Sequence, residues 1–487
     1  MGLPARQRRI YTNRTLNLRA IEAIGFDMDY TLIHYDVEAW ERHAFTHAVR
    51  VLADEGWPTE GLRFEPDMMI RGLVVDTEKG NVVKANRFGF VKQAFHGTQP
   101  IPYAEMRDVY ARVIVDLSEP RWRFMNTLFS LSDGCLYAQL VDRLDQGMGL
   151  PGVDGYAALY QKVRTTVDLA HIEGRLKGEI VDEPERFVVL DPDTALALQD
   201  LKYAGKKLLL ITNSDWPYTS SMMAYAFDRY LPGTTTWRDL FDVAIVDARK
   251  PAFFSQQNPL YEVATDEGLL RPVVRRLERG KAYSGGDAGL VEAWLGVSGE
   301  EVLYIGDHIF SDVHVSKSIQ RWRTALVLRE LEGEIDALQS FEERQSKLRA
   351  LMSHKEALER ESCALRVELQ RTEHGYGPAP AQSPERARQR LTELRVELDE
   401  LDESVAPLAR EASQLASQNW GLLLRTGNDK SHLARQVERY ADIYTSRVSN
   451  FLSHGPHAYL RSARGSLPHD PGGELGGSPG SASSSSV

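Results

Sequence analysis

Asp27 and Asp29, two carboxylates two positions apart in Asp27-Met28-Asp29-Tyr30-Thr31, directly follow the apolar run Ile21 to Phe26. A turn at a strand end can bring both acids to one ligand, where the first attacks phosphorus and the second handles the leaving-group proton. Standing alone, the same pair would be an ordinary acidic turn. A second acidic string, Gly306-Asp307-His308-Ile309-Phe310-Ser311-Asp312, follows the apolar run Val302 to Ile305. Asp27, Asp307 and Asp312 gathered at one sheet edge would repel one another strongly without a cation. Hard oxygen ligands of this kind suit Mg2+. Taken singly, Asp312 is equally well explained as a helix N-cap.

Groups that can hold an anion stand in matching places. Thr212-Asn213-Ser214 ends the apolar run Leu208 to Ile211 and offers hydroxyls and backbone N–H groups where a helix should start. Lys250, in Asp247-Ala248-Arg249-Lys250-Pro251, follows Val243 to Val246. Its ammonium there would neutralise phosphoryl charge, although a lone lysine in a turn is more often plain surface.

The four apolar runs read as buried strands, with helical patterns between them at Asp193 to Ala204 and Ser220 to Arg229. Alternation of this sort predicts a parallel, Rossmann-like α/β sheet that binds ligands at the carboxyl ends of its strands. Roughly 180 residues separate the first run from the second, far more than a crossover needs, so an inserted α+β cap is expected. It contains a hairpin-like stretch, Leu73 to Asp76 and Asn81 to Lys84. Leu391, Leu394, Leu398, Leu401, Val405, Leu408, Ala412 and Leu415 form a heptad seam, and Leu351, Leu358 and Leu365 a rougher one. The break at His374 to Pro380 makes the two arms an antiparallel coiled-coil hairpin. The expected organisation is core 1–35, cap 36–188, core 189–335, hairpin 336–418, a helical segment 419–461 packed on the core, and a disordered Gly/Ser/Pro-rich tail 462–487.

Composition narrows the setting. A formal net charge of -11 over 487 residues argues against a nucleic-acid polymer as partner. No apolar run is long enough for a bilayer, and no apolar stretch follows the basic N-terminal residues, so neither membrane nor export is expected. Cys135 and Cys363, far apart, supply no disulfide framework and fit a reducing cytoplasm. Assembly into a homo-oligomer stays open.

Asp27-x-Asp29-x-Thr31, Thr212, Lys250 and Gly306-Asp307 with Asp312, in that order and each after a strand, resemble the four motifs of the haloacid-dehalogenase superfamily. Finer strings are similar to the cytosolic purine 5′-nucleotidases that prefer IMP and GMP. They are Asp27 to Leu32, Asn126-Thr127-Leu128-Phe129, Thr212 to Asp215, Tyr283 to Gly286, Gly306 to Phe310 and Gln436 to Asp442. The resemblance implies Asp27 as nucleophile and Asp29 as acid and base. It also implies Mg2+ held by Asp27, the Asp29 carbonyl and Asp307, with support from Asp312. Thr212, Ser214 and Lys250, with Asn213 beside them, would hold the phosphoryl group.

Arg164, Asp168 and His171 fall on one helical face, which by itself reads as an exposed ion pair. The resemblance implies that these three and Lys177 line a base pocket and that Phe129 stacks on the purine. Positions matching an adenine-nucleotide effector pocket are present at Asn126, Phe310, Gln436 and Tyr440, but Ser318 stands where a lysine is expected. Two rivals remain: a phosphatase or nucleoside phosphotransferase acting on another substrate, and an idle scaffold working through the heptad arms. Intact Asp27, Asp29, Lys250 and Asp307 speak against the second.

Overall fold

The structure is a computed structural model and describes residues 4–172, 175–274 and 276–463, without the side chains of 170–176. The expected tail beyond residue 463 lies outside the described residues.

Ten strands form the main sheet. Ala23–Phe26 and Val243–Val246 are buried at every position, as strands covered on both faces must be. Seven neighbours run parallel, in the order Ile443–Thr445, Arg323–Val327, Val302–Gly306, Ala23–Phe26, Lys207–Ile211, Val243–Val246 and Lys281–Gly285. Antiparallel strands complete both edges. Ala23–Phe26 is thus central, flanked by the strands that lead to Thr212 and to Asp307. Close packing needs a glycine here: a Cβ on Gly25 would lie 2.8 Å from the ring of Tyr304 on the adjacent strand.

Two elements differ from the sequence reading. The helix expected from Ser220 begins at Trp216, because Asp215 caps it by accepting from the Tyr218 N–H at 2.9 Å. Ser214 therefore stands immediately before a helix N-terminus. Segment 419–461, expected to be helical, contains helix His432–Tyr440 but also gives the main sheet a strand, Ile443–Thr445, whose β-branched and aromatic residues suit that role.

Leu73 to Lys84 contributes the centre of a second, five-stranded antiparallel sheet, in which Val74 pairs with Val83 and Asp76 with Asn81. Helices Val37–Asp54, Leu131–Asp145 and Tyr156–Ile172 lie near it in sequence. Their buried Trp40, Leu136 and Val163 belong to the same apolar cluster as Phe26, Leu208 and Leu210 of the main sheet. Apolar packing therefore runs across the expected boundaries at 35/36 and 188/189. Helix Leu331–Ser340 straddles the one at 335/336 and packs Leu331 and Ile335 on Leu423, Leu433 and Val437.

Helices Glu342–His374 and Pro384–Ser413 project from this body. Gly375, in the left-handed region at φ 69°, ends the first, and Ser383 caps the second. Leu358 and Leu365 of one bury against Ala387, Leu394, Leu401 and Val405 of the other. The ion pairs Arg344–Glu411, Lys355–Asp402 and Arg390–Glu361 show that the helices run in opposite directions. Leu415 lies past the helix end. The return strand of chain is clamped twice: Glu334 accepts from the Leu424 N–H at 3.2 Å, and the buried Lys84 ammonium donates to the Leu422 carbonyl at 2.6 Å. Because the seam closes on itself, replacing residues 342–416 by a short Gly/Ser linker should leave phosphate release measurable. Loss of all activity in a folded deletion variant would show that the arms complete the active site.

Candidate active site

Three carboxylates meet at the carboxyl ends of the central strands. Asp27, Asp307 and Asp312 each place an oxygen within 4.8 Å of the others, and all three are buried. Gly306 makes this possible, since a Cβ there would lie 2.5 Å from Asp312 Oδ2. The Lys250 ammonium sits between two of them, 2.7 Å from Asp27 Oδ1 and 2.8 Å from Asp312 Oδ1. It also donates to the Tyr304 hydroxyl at 3.0 Å, which in turn donates to the Ile211 carbonyl at 3.0 Å. Asp312 accepts from the His308 N–H at 3.2 Å inside the first turn of 309–314, so it is not the N-cap, which is His308.

Burial pushes Asp27 up to about 6, against the pull of Lys250 and with the push of Asp312. Burial likewise raises Asp307 well above the carboxylate range, reinforced by Asp27 and Asp312. For Lys250 burial lowers, but Asp27 and Asp312 win and hold it firmly protonated. One ammonium facing three buried acids leaves negative charge uncompensated. This all-oxygen donor set fits a hard divalent cation.

Asp29 belongs to a separate group. Ser214 donates to its Oδ2 at 2.8 Å, Tyr35 donates to its Oδ1, and Tyr218 lies 3.0 Å from the Tyr35 hydroxyl. Lys177 donates to Ser214 Oγ at 3.1 Å, and its ammonium lies 4.7 Å from the Tyr218 ring centroid. Burial raises Asp29, opposed first by Lys177. Tyr30, left-handed at φ 55°, turns the chain back after Asp29, where the Leu32 and Ile33 N–H groups donate to the Met28 carbonyl.

Thr212 Oγ1 accepts from the Ser214 N–H at 3.1 Å. Asn213 spends its amide on the Lys250 backbone, accepting from the N–H at 2.6 Å and donating to the carbonyl at 3.2 Å, which locks the lysine turn to the Thr212 turn.

The expected base-pocket residues part company. Arg164 pairs with Asp168 at 3.1 Å and with buried Asp133 at 2.6 Å, and lines a cavity of about 370 Å³ that also touches Asn126, Thr127, His308 and Phe310. Phe129 meets Tyr30 edge-on at 4.6 Å and Trp40 at 5.3 Å. Lys177 is placed with Ser214 instead of Arg164, because it stands on a different helix, Arg175–Asp182. His171 is in the helix with Arg164, but its side chain lies outside the described residues. Among the effector positions, the Phe310 and Tyr440 ring centroids are 6.4 Å apart and Gln436 bonds His432, and Lys317, the neighbour of Ser318, pairs with Asp442.

Sequence reasoning missed several contacts. Tyr35, Tyr218, Tyr304 and Thr127, which donates to Asp307 Oδ2 at 3.4 Å, are among them. So is Arg71, only 2 % exposed, which donates to the Asp307 carbonyl at 3.1 Å and to Glu330 at 2.8 Å. Tyr304 had a local signal, two residues before Gly306 on a strand, and Thr127 stood in the string Asn126 to Phe129 without a role of its own.

A parallel α/β sheet with a lysine-bridged acid cluster at its carboxyl ends defines a class of phosphoryl-handling proteins. Residues 10–472 match the 5′ nucleotidase family, and the chain belongs to that family of phosphoric monoester hydrolases. It is 28% identical over 479 residues to 5′-nucleotidase domain-containing protein 2 of Homo sapiens, covering 95% of this chain and 85% of that one. A 5′-nucleotidase domain-containing protein of Dictyostelium discoideum is 27% identical over 481 residues, covering 95% and 74%. The crystal structure of an archaeal β-phosphoglucomutase from a Pyrococcus species covers 63% of this chain and 87% of its own at 12% identity, with a TM-score of 0.29. No helix of the described residues is long and apolar enough to cross a membrane.

Proposed function

We propose that this chain is a Mg2+-dependent 5′-nucleotidase of the haloacid-dehalogenase type that hydrolyses purine nucleoside monophosphates, IMP and GMP before others, in a reducing cytoplasm. The observation that carries the reading is the division of the two neighbouring acids, with Asp27 in the acid–lysine cluster and Asp29 in the hydroxyl group of Ser214 and Tyr35.

Asp27 attacks phosphorus and the P–O5′ bond breaks, while Asp29, which burial favours in its protonated form, gives its proton to the departing 5′ oxygen. Asp29 then takes a proton from water. The water oxygen attacks the aspartyl-phosphate, and the P–O bond to Asp27 breaks, releasing phosphate. Lys250 and Ser214 flank this path and stabilise charge on the phosphoryl oxygens, with Lys177 contributing from the Ser214 side. Asp27, Asp307 and the Asp29 carbonyl, with support from Asp312, would hold Mg2+, which would supply charge neutralisation at the phosphoryl group. Arg164 and Asp168, with Phe129 and His171, would face the base.

Phosphate release from IMP, GMP, AMP, UMP and p-nitrophenyl phosphate, in Mg2+ and in EDTA, tests the reading. Mg2+-dependent release with IMP and GMP ahead by roughly tenfold or more is expected. Activity that persists in EDTA, or a preference for UMP, would sink the metal and the purine assignments respectively. Adding inosine as acceptor identifies any phosphotransferase.

A further inference from the structure

The peptide group between Asp307 and His308 is held at both ends. Its N–H donates to Asp312 Oδ2 at 3.2 Å, and its carbonyl accepts from Arg71 Nη1 at 3.1 Å. Because a peptide is a rigid plane, fixing both of its polar groups restrains the backbone that carries Asp307 and the carboxylate of Asp312 together. Lys250 serves the other pair, Asp27 and Asp312. Asp307 is met instead from the segment between strands Ala23–Phe26 and Lys207–Ile211, by Arg71 at its carbonyl and by Thr127 at its carboxylate.

Arg71 is itself immobilised. Its side chain is 1 % exposed, and its Nε and Nη2 donate to the two carboxylate oxygens of Glu330. Both sides of this fork are anchored on one apolar cluster. Gly72, left-handed at φ 92°, donates its N–H to the Met125 carbonyl at 2.7 Å, and a Cβ there would lie 2.8 Å from Leu433 Cβ, so the chain beside Arg71 fits only with glycine. Glu330 is the N-cap of helix Leu331–Ser340, whose Leu331 and Ile335 bury in the cluster that contains Leu433. A buried guanidinium–carboxylate pair contributes little net stability compared with apolar packing, so the fold does not by itself call for one here. A planar guanidinium can do what an ammonium cannot: grip Glu330 with two N–H groups while aiming a third at Asp307 in a fixed direction.

Resting on the Mg2+ reading, we infer that Arg71 is a positioning residue: braced by Glu330, it holds the Asp307–His308 peptide and so presents Asp307 and Asp312 to the cation. Charge and geometry act here in opposite senses. A fixed positive charge repels a cation, so deleting the guanidinium charge alone would tighten Mg2+ binding, whereas losing the brace loosens it. Arg71→Lys and Glu330→Asp keep every charge and break the fork, which isolates the geometry. The experiment titrates Mg2+ against the melting of the full chain, followed by tryptophan fluorescence, and against phosphate release from p-nitrophenyl phosphate. Both variants should need at least about tenfold more Mg2+ than the parent for the same rise in melting temperature and for half-maximal activity. In saturating Mg2+ kcat should stay within about threefold of the parent, because Arg71 touches no reacting atom. A folded variant with the parent's Mg2+ requirement, however much lower it melts in EDTA, overturns the inference and leaves Arg71 a structural tie. Glu330→Asp changes a side chain that is 26 % exposed, and it carries the test if Arg71→Lys does not fold. A parent that Mg2+ neither stabilises nor activates fails at the earlier step and removes both readings.

Discussion

Asp27→Asn should abolish turnover, by about a thousandfold or more, while leaving the protein folded. The amide is nearly isosteric and its oxygen can still accept from Lys250, now 2.7 Å from Asp27 Oδ1, but it cannot attack phosphorus. Removing one charge from a trio of buried acids also relieves repulsion that raises Asp307. The variant should therefore melt no lower than the parent in EDTA. Acid quenching during turnover of labelled substrate should trap phosphoenzyme in the parent and none in the variant. Near-parent turnover, or phosphoenzyme in Asp27→Asn, would take the nucleophile away from this residue.

The second large effect is on stability as well as rate. Lys250→Ala strips the ammonium from Asp27 and Asp312 and leaves two buried carboxylates facing each other and Asp307. Breaking a buried pair from one side costs about 3 to 5 kcal/mol, and the loss should be greatest in EDTA. Mg2+ binds the folded acid cluster and not the unfolded chain, so it should recover part of that loss in proportion to its concentration. Turnover should stay about a hundredfold or more down even in saturating Mg2+, because the phosphoryl oxygens have lost a fixed positive charge. A variant that melts like the parent in EDTA would mean that Lys250 does not neutralise the cluster.

Much of the site was legible because its parts are local. Asp27 and Thr212 follow an apolar run directly, Asp307 follows one after Gly306 and Lys250 after three residues, and a parallel sheet must bring such positions to one edge. The hidden half is nonlocal. Tyr35 reaches Asp29 only because the turn at Tyr30 folds back, and Tyr218 joins it from a helix whose start depends on the Asp215 cap. Arg71 looks like any surface arginine in sequence, and its burial against Asp307 and Glu330 exists only in the assembled fold. Grouping Lys177 with Arg164 follows from the resemblance alone, and the change of helix between them carries Lys177 to Ser214 instead. The strand Ile443–Thr445 was obscured by its length, three residues that no periodicity can distinguish from the helix before it.

The projecting helical pair has a spectroscopic consequence. All eight tryptophans, at 40, 57, 122, 216, 237, 294, 322 and 420, lie outside residues 342–416. Trp420, the nearest beyond the pair, is buried against the body, its indole N–H donating to the Met68 carbonyl at 2.8 Å. Indole emission is therefore blind to the arms, whereas far-ultraviolet circular dichroism weights them heavily, since two of the longest helices are there. The arms share a small seam and the body a large core, so the two optical signals follow two cooperative units. One melting temperature from one probe describes only one of them, and the comparison of Lys250→Ala with its parent belongs to the fluorescence.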